Sequence, residues 1–215
     1  MDRRFFEPVR HFPHRMGAKE GKAMKNTCLL SEDSKTYLCC FYQLLDEMIQ
    51  GMTTACLNQS ISHNFIVQMV PHHRAAIQMS NNILRFAENS SVRRIAQRVI
   101  EAQNQSIGQM EEALSICGQL TNPQMDLRIY QRRMDLIYRE MYAKMGSAPE
   151  SNALAAIYMR EMIPHHQGAI RMAENALKYD ICTELVPILR SIVVQQRQEV
   201  GQMRSLLSRM GCRRR

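Results

Sequence analysis

The chain has 215 residues and a formal net charge of +8, with 17 methionines, six Phe, seven Tyr and no Trp. This length can bury a sizeable core as one or two domains, and the scarcity of aromatic residues makes that core aliphatic and methionine-rich. The basic residues are scattered among Glu and Gln along helical stretches, without an aromatic-interleaved basic patch. The charge pattern therefore favours a solvated basic surface over nucleic-acid binding.

The cysteines, at positions 28, 39, 40, 56, 117, 182 and 212, are odd in number. None recurs at an equivalent position in the internal repeat described below, so we predict no disulfide framework and a reducing compartment. Cys39 and Cys40 are predicted to be small buried hydrophobic side chains. Residues 1–35 contain no apolar run of signal-peptide length, and no stretch approaches the ~20 apolar residues that cross a bilayer. We therefore expect a soluble, cytoplasmic protein.

The N-terminal segment of the chain lacks apolar residues at helical spacing. Residues 1–32 are rich in Pro, Gly and charge, which predicts a poorly ordered basic extension. From residue 33 the chain then repeats itself with a displacement of 93 residues and no gap: Asp33 matches Asp126, and Glu47 matches Glu140. We predict a first repeat over 33–118 and a second over 126–211, joined by a short connection and packed as one globular unit.

Apolar residues at helical spacing divide each repeat into three helices. The first helix is predicted at roughly 35–54 and 127–145, and the third at roughly 91–116 and 183–209. The second is capped by Ser60 or Ser62 in one repeat and by Ser151 or Asn152 in the other. This pattern predicts an all-α fold, a helical bundle of two three-helix repeats related by a pseudo-twofold axis. An all-α solenoid is the alternative, but two repeats are too few to stack well.

The second helix of each repeat carries the most informative motif. Met-Val-Pro-His-His occupies 69–73, and Met-Ile-Pro-His-His occupies 162–166. On a helix the methionine lies about 5–6 Å, between Cβ atoms, from both histidines, which is close enough to share one ion. A further methionine seven residues after the first histidine lies on the same face and belongs to a second site or to the core. The candidate metal ligands are Met69, His72, His73 and Met79, and Met162, His165, His166 and Met172.

Each motif contains a proline, Pro71 or Pro164, that cannot donate a backbone hydrogen bond to the preceding turn. Apolar residues at helical spacing continue upstream of both prolines. We therefore predict a kinked helix with the histidines just past the kink. A helix that begins at the proline remains the alternative.

The third helix of each repeat carries a glutamine on an otherwise apolar face, Gln103 or Gln196, followed by Met110 or Met203. A buried amide without a partner costs roughly 1–3 kcal/mol, so each glutamine requires a polar neighbour. The motif imidazoles, or the carbonyls left free by the prolines, could supply it. The two methionines are predicted to be core residues.

The motif Met-(Ile/Val)-Pro-His-His-x-x-Ala-Ile-x-Met, with the glutamine- and methionine-bearing helix that follows it, resembles the domain-of-unknown-function 305 (DUF305) family. That family is grouped with the ferritin-like four-helix bundles, and some members are linked to copper handling, although relatives often look exported. The family pattern expects a carboxylate three residues after the third-helix glutamine. Glu199 stands at that position in the second repeat, whereas Ser106 replaces it in the first.

Thioether and imidazole ligands suit Cu(I) and Ag(I), while hard cations need oxygen ligands that this helix face lacks. The sequence therefore predicts a soft-metal binding or handling protein, with Cu(I) as the favoured ion and only cofactor. The alternative is a structural or protein-interaction bundle in which the His and Met residues serve packing. A di-iron-type oxidase is disfavoured, because neither motif helix has a Glu three residues before a histidine. We expect no enzymatic activity, a metal ion as partner, and no nucleic-acid or membrane partner; a homodimer is left open.

Overall fold

A computed structural model describes residues 30–117 and 119–212. The predicted all-α fold is confirmed: these residues form six helices and no strand. The predicted extension lies outside the described residues as far as residue 29. The helices are α1 (Glu32–Thr53), α2 (Ile61–Leu84), α3 (Ser90–Cys117), α4 (Gln124–Met145), α5 (Leu154–Ala176) and α6 (Leu185–Cys212).

Four long helices surround the core. α2 packs on α3, α3 on α6, α6 on α5, and α5 on α2, which closes a ring of four helices. α1 packs mainly on α2, and α4 packs mainly on α5. The three helices of the second half begin within two residues of the positions that the 93-residue displacement predicts. The ferritin-like relationship and the pseudo-twofold axis stay predictions.

The first helix of each half is tied to the motif helix by an asparagine. The Asn82 side chain donates to the Tyr37 carbonyl oxygen over 3.0 Å, and the Asn175 side chain donates to the Tyr130 carbonyl oxygen over 3.2 Å. Both asparagines are buried. Each bond satisfies a buried backbone acceptor and sets the position of the outer helix relative to the motif helix.

The two motif helices begin differently. Ser60 is the N-cap of α2, as predicted, and its hydroxyl accepts from the His63 backbone N–H. The predicted caps of α5 are wrong: the N-cap is Ala153, whose side chain makes no capping bond. Ser151 instead accepts from the Ala153 N–H, and Asn152 accepts from the backbone N–H of Ser31. Both polar side chains lie before the helix and are used to fasten the loop.

Both motif prolines lie inside their helices, as predicted, and neither begins one. Pro71 is in the middle of α2 and Pro164 is in the middle of α5. A Cβ atom added to Gly51 of α1 would lie 2.9 Å from the Pro71 Cβ atom. The absence of a side chain at Gly51 therefore allows α1 to approach the proline turn of α2 closely.

The cysteine predictions were wrong in two respects. Cys117, at the end of α3, forms a disulfide with Cys182 in the connection between α5 and α6, so the two halves are cross-linked. Their sequence positions are unrelated by the repeat, which is why the pairing was not visible in the sequence. Cys39 is exposed and Cys40 is half-buried, because the buried stripe of α1 passes through Tyr37, Leu38 and Phe41 instead. Within the described residues, no helix is long and apolar enough to cross a membrane.

Candidate metal centre

The four motif imidazoles lie at the contact between α2 and α5, and all are fully buried. The rings of His72 and His165 stack across this contact, with centroids 3.7 Å apart and planes 32° apart. His73 lies beside His72, with ring centroids 5.9 Å apart, and His166 lies beside His165, with centroids 5.7 Å apart. The two copies of the motif therefore meet and form one cluster of imidazoles in the core.

The second histidine of each motif is held by the third helix of its own half. Ser106 of α3 lies with its hydroxyl 3.1 Å from His73 Nε2. Glu199 of α6 lies with Oε2 at 2.7 Å from His166 Nε2, a short contact in which the ring N–H points away from the ideal hydrogen-bond direction. The two partners occupy equivalent positions in the repeat. The replacement of a carboxylate by serine in the first half thus preserves a polar partner for the ring and removes its charge.

Most of the imidazole nitrogens have no partner. Both nitrogens of His72, His165 and His166, and Nδ1 of His73, make no hydrogen bond within the described residues. A buried polar atom without a partner costs about 1–3 kcal/mol, so native cores rarely retain several of them together. Hydrogen-bonded packing therefore does not account for these rings. Each neutral imidazole carries one in-plane lone pair, and a metal ion can bind at that nitrogen.

Burial keeps the imidazoles of His72, His73 and His165 neutral. Desolvation, followed by repulsion from the neighbouring imidazoles, lowers the pKa of His73 to about 3. The same causes lower the pKa of His72 and His165 well below the ordinary value, and the nearby backbone of each opposes the shift of the other only in part. A metal ion binds the neutral form of imidazole. These three rings are therefore in the ligand-competent form at neutral pH.

All four candidate methionine ligands are in the core. Met69 and Met162 are completely buried one helical turn before the histidines, and Met79 and Met172 are buried two turns after His72 and His165. Met110 and Met203 are buried too, as predicted. Among the described methionines, the one with a largely exposed side chain is Met125. A methionine-rich outer surface for a partner helix is thus absent from the described residues.

The cluster does not present a finished coordination sphere made of histidines and acids. Within the described residues, the one group that places three His, Cys, Asp or Glu ligand atoms within 4.8 Å of each other is Cys117, Cys182 and Glu184, and its cysteines are joined in the disulfide. Imidazole lone pairs lie in the ring plane. The stacked rings of His72 and His165 therefore point their nitrogens side by side, and a single ion bound by both requires a ring rotation.

One buried acid next to the motif was not assigned a role by the sequence. Glu161 precedes Met162 and is almost completely buried, and its carboxyl accepts a 2.6 Å hydrogen bond from the Tyr37 hydroxyl of α1. Burial raises its pKa to about 8, and the tyrosine bond opposes this increase. Gln68 takes the equivalent place in α2. A carboxylic acid at this position is compatible with an uncharged, apolar environment around the imidazoles.

The glutamines repeated on the third helices each retain an unpaired side-chain oxygen in the described part of the chain. Gln103 and Gln196 are buried as expected, but the side-chain carbonyl oxygen of each lacks a hydrogen-bond partner within the described residues. Each glutamine lies one turn before the residue that contacts an imidazole, so two more unpaired polar atoms lie on the helices that support the cluster.

Comparison with protein families identifies the chain. The model of the "Domain of unknown function (DUF305)" family matches residues 62–207, which is more than half of the sequence and includes both motifs. The chain belongs to the DUF305 family. No curated protein matches this DUF305 chain.

Two solved structures resemble this DUF305 protein. The crystal structure of a DUF305 fragment from Deinococcus radiodurans is 28% identical, with a TM-score of 0.51, over 69% of this chain and 96% of that fragment. A structure of CopM in the Cu(II)-bound form is 24% identical, with a TM-score of 0.52, over 69% of this chain and 97% of CopM. At this identity, the second likeness establishes a shared fold.

Proposed function

We propose that this DUF305 protein binds copper in the core cluster formed by the two Met-x-Pro-His-His motifs. The observation that carries the proposal is the group of four fully buried imidazoles, seven of whose ring nitrogens have no hydrogen-bond partner within the described residues. Burying such atoms without compensation is unfavourable. A bound metal ion compensates the nitrogens that carry a lone pair.

The chemistry of the donors selects a soft ion. Neutral imidazole and thioether sulfur favour Cu(I), and imidazole also suits Cu(II), whereas Mg²⁺ and Ca²⁺ require several oxygen ligands. Met69 and Met162 are buried on the same helices as the histidines, at a spacing that allows both residue types to contact one ion. The likeness to CopM in the Cu(II)-bound form supports copper as the ion.

Each motif would supply the ligands of its own site. His72, His73 and Met69 would hold copper on α2, and their counterparts His165, His166 and Met162 would hold it on α5; Met79 and Met172 are further donors. Copper is cargo in this proposal, and the protein is a binding protein with no catalytic role. The carboxylates shared by both repeats argue against di-iron chemistry, because Glu47 and Glu140 are exposed.

The packing alternative explains the burial of the methionines but not that of the histidines. A core built for packing would place apolar side chains, or hydrogen-bonded polar ones, at these four positions. Within the described residues, Ser106 hydrogen-bonds one nitrogen of His73, Glu199 lies 2.7 Å from one nitrogen of His166, and the second nitrogen of each ring has no partner. This half-supported arrangement is typical of metal-binding histidines, whose outer nitrogen is oriented by a neighbour.

The test is an anaerobic Cu(I) titration in competition with a chromophoric chelator, with the disulfide intact and the free thiols blocked by N-ethylmaleimide. Blocking is needed because exposed thiols, such as those of Cys39 and Cys56, bind Cu(I) themselves. We expect the wild type to bind one copper ion for each copy of the motif. Replacement of all four motif histidines by Ala should abolish this binding.

The matched control is H63A, because His63 lies on α2 outside the cluster and contacts the Cys56 carbonyl oxygen. It should bind copper as the wild type does. Circular dichroism verifies that each variant is helical. If the variant with all four motif histidines replaced by Ala does not fold, H72Q/H165Q replaces it in the titration. Undiminished Cu(I) stoichiometry in a folded histidine variant would show that the proposed function is wrong. The M69L/M162L variant, which nearly conserves volume, separates the sulfur contribution from packing.

A further inference from the structure

We propose that the two motif copies form unequal copper sites, and that Glu199 makes the α5 site the tighter one. This inference rests on the proposed function. It concerns the contact that the third helix makes with the second histidine of each motif: Ser106 lies on His73, whereas Glu199 lies on His166. Both imidazoles are fully buried, and both contacts use the Nε2 atom, so the difference is in the partner and not in its location.

The first consequence of the difference concerns the proton on the ring. A carboxylate is an acceptor only, so the 2.7 Å contact of Glu199 with His166 Nε2 favours the neutral form of the ring that carries its proton on Nε2. The lone pair of His166 is then on Nδ1, which has no hydrogen-bond partner in the described structure. The hydroxyl of Ser106 both donates and accepts, so either form of His73 can be accommodated. Of the two neutral tautomers of His73, only the one that is protonated on Nε2 therefore offers Nδ1 as a ligand.

The second consequence concerns charge. The carboxylate of Glu199 is nearly buried, with a side chain that is 12% exposed, and it lies 2.7 Å from the ring. A negative group on the far nitrogen makes an imidazole a stronger donor and offsets the charge of a cation in an apolar interior. The serine contributes a dipole without a charge. A copper ion on α2 has no comparable compensation from its second histidine.

The magnitude follows from the general behaviour of such partners. Removing the group that orients a metal-binding histidine weakens metal affinity by about 10- to 100-fold. We expect stepwise Cu(I) titration of the thiol-blocked wild type to resolve a tight and a weak step separated by about that factor. H166A should remove the tight step, and H73A should remove the weak one. E199S should bring the two affinities together, because it makes the α5 site resemble the α2 site.

E199Q distinguishes charge from hydrogen bonding, since glutamine keeps an acceptor oxygen but carries no charge. If charge is the main contribution, E199Q should weaken the tight step nearly as much as E199S. E174Q is the matched control: Glu174 pairs with Arg197 at the surface and does not touch an imidazole. It should leave both steps unchanged. A loss of affinity in E174Q equal to that in E199S would reduce the effect to net charge and overturn the role of Glu199.

A metal-free measurement tests the orientation of the ring independently. Nitrogen-15 NMR of the histidine side chains should show His166 protonated at Nε2 in the wild type, and a mixture of tautomers in E199S. A role of Glu199 in packing alone would not change the tautomer. Two equal copper affinities in the wild type would overturn this inference and leave the proposed function intact. Absence of copper binding in the wild type would instead refute the proposed function.

Discussion

Acid should lower the free energy of unfolding of this protein through its buried histidines, and one buried glutamate should offset about half of that loss. His72, His73 and His165 have folded-state pKa values lowered by burial, that of His73 to about 3, whereas the unfolded chain has the ordinary value of 6.5. Between these values the unfolded state binds more protons than the folded state. The free energy of unfolding therefore falls as the pH is lowered below about 6.5.

Glu161 acts in the opposite direction. Its pKa is raised to about 8 in the folded protein from an ordinary value of 4.5, so the folded state binds the extra proton between these values. Its contribution to stability increases as the pH falls through 8, is complete below about 4.5, and is lost as the pH rises again. This glutamate thus opposes the histidines over the range in which they titrate.

The expected changes in the free energy of unfolding follow from 1.36 kcal/mol for each unit of pKa difference between the folded and unfolded states. Between pH 7.5 and 5.0, each of the three histidines should reduce the free energy of unfolding by about 2 kcal/mol if it stays neutral in the folded state. Glu161 should restore about 3 kcal/mol. The wild type should therefore lose about 3 kcal/mol, and E161Q, which resembles the Gln68 of the other motif, should lose about 6 kcal/mol over the same range.

The free energy of unfolding of the wild type and of E161Q is measured by urea unfolding, monitored by circular dichroism, at several pH values between 7.5 and 5.0. A chelator must be present, because bound metal would stabilise the folded state by mass action. E140Q is the control, since Glu140 is an exposed acid paired with Arg171. It should follow the wild-type dependence on pH. If E161Q had the same stability at pH 5.0 as at pH 7.5, the histidines would not be buried in the neutral form and the reasoning would be refuted.

Three further substitutions probe contacts that hold the cluster in place. Replacing Cys117 and Cys182 together by Ser should lower the free energy of unfolding by about 4 kcal/mol, because their disulfide closes a loop with a sequence separation of 65 residues; urea unfolding without reductant measures this. G51A should lower the free energy of unfolding by about 1–3 kcal/mol, since its Cβ atom would be 2.9 Å from the Cβ atom of the first motif proline. G108A, with no atom within 4 Å of the added Cβ, should raise the free energy of unfolding by about 0.5–1 kcal/mol. Y37F should cost about 1–3 kcal/mol, because its buried carboxyl partner loses a hydrogen-bond donor.

Each of these substitutions has a control within the chain. C39S changes an exposed free thiol and should leave the unfolding midpoint unchanged. Y130F removes a buried hydroxyl that has no hydrogen-bond partner within the described residues, so it should cost nothing or stabilise. If Y130F destabilised the protein as much as Y37F, the bond to the buried carboxyl would not be the cause. Equal effects of G51A and G108A would show that helix propensity, and not close packing against α2, governs both sites.

The local part of this structure could be predicted from the sequence. Apolar spacing predicted six helices, and the upstream continuation of that spacing placed both prolines inside helices, because helical periodicity is a property of a single segment. The same spacing put Met69 and Met162 on one face with the histidines. The family followed from the two motifs, which are short and contiguous. These features depend on neighbours within a few residues, and the sequence displays them directly.

What depends on contacts between segments could not be predicted. The stacking of His72 on His165, the buried bond between Tyr37 and Glu161, and the disulfide between Cys117 and Cys182 each join residues more than 60 positions apart. A helical period states which face is buried, but not which helix covers it.

The sequence by itself thus determined the helices, the family and the residue types of a soft-metal face. Only the tertiary structure decided that the two faces meet as one cluster, that its ring nitrogens are largely unpaired, and that Ser106 and Glu199 reach equivalent atoms. The physical reason is that desolvation, pKa and pairing are set by what surrounds a group in three dimensions. The 93-residue displacement indicated two like halves, and the packing of α3 and α6 on their histidines made those halves chemically different.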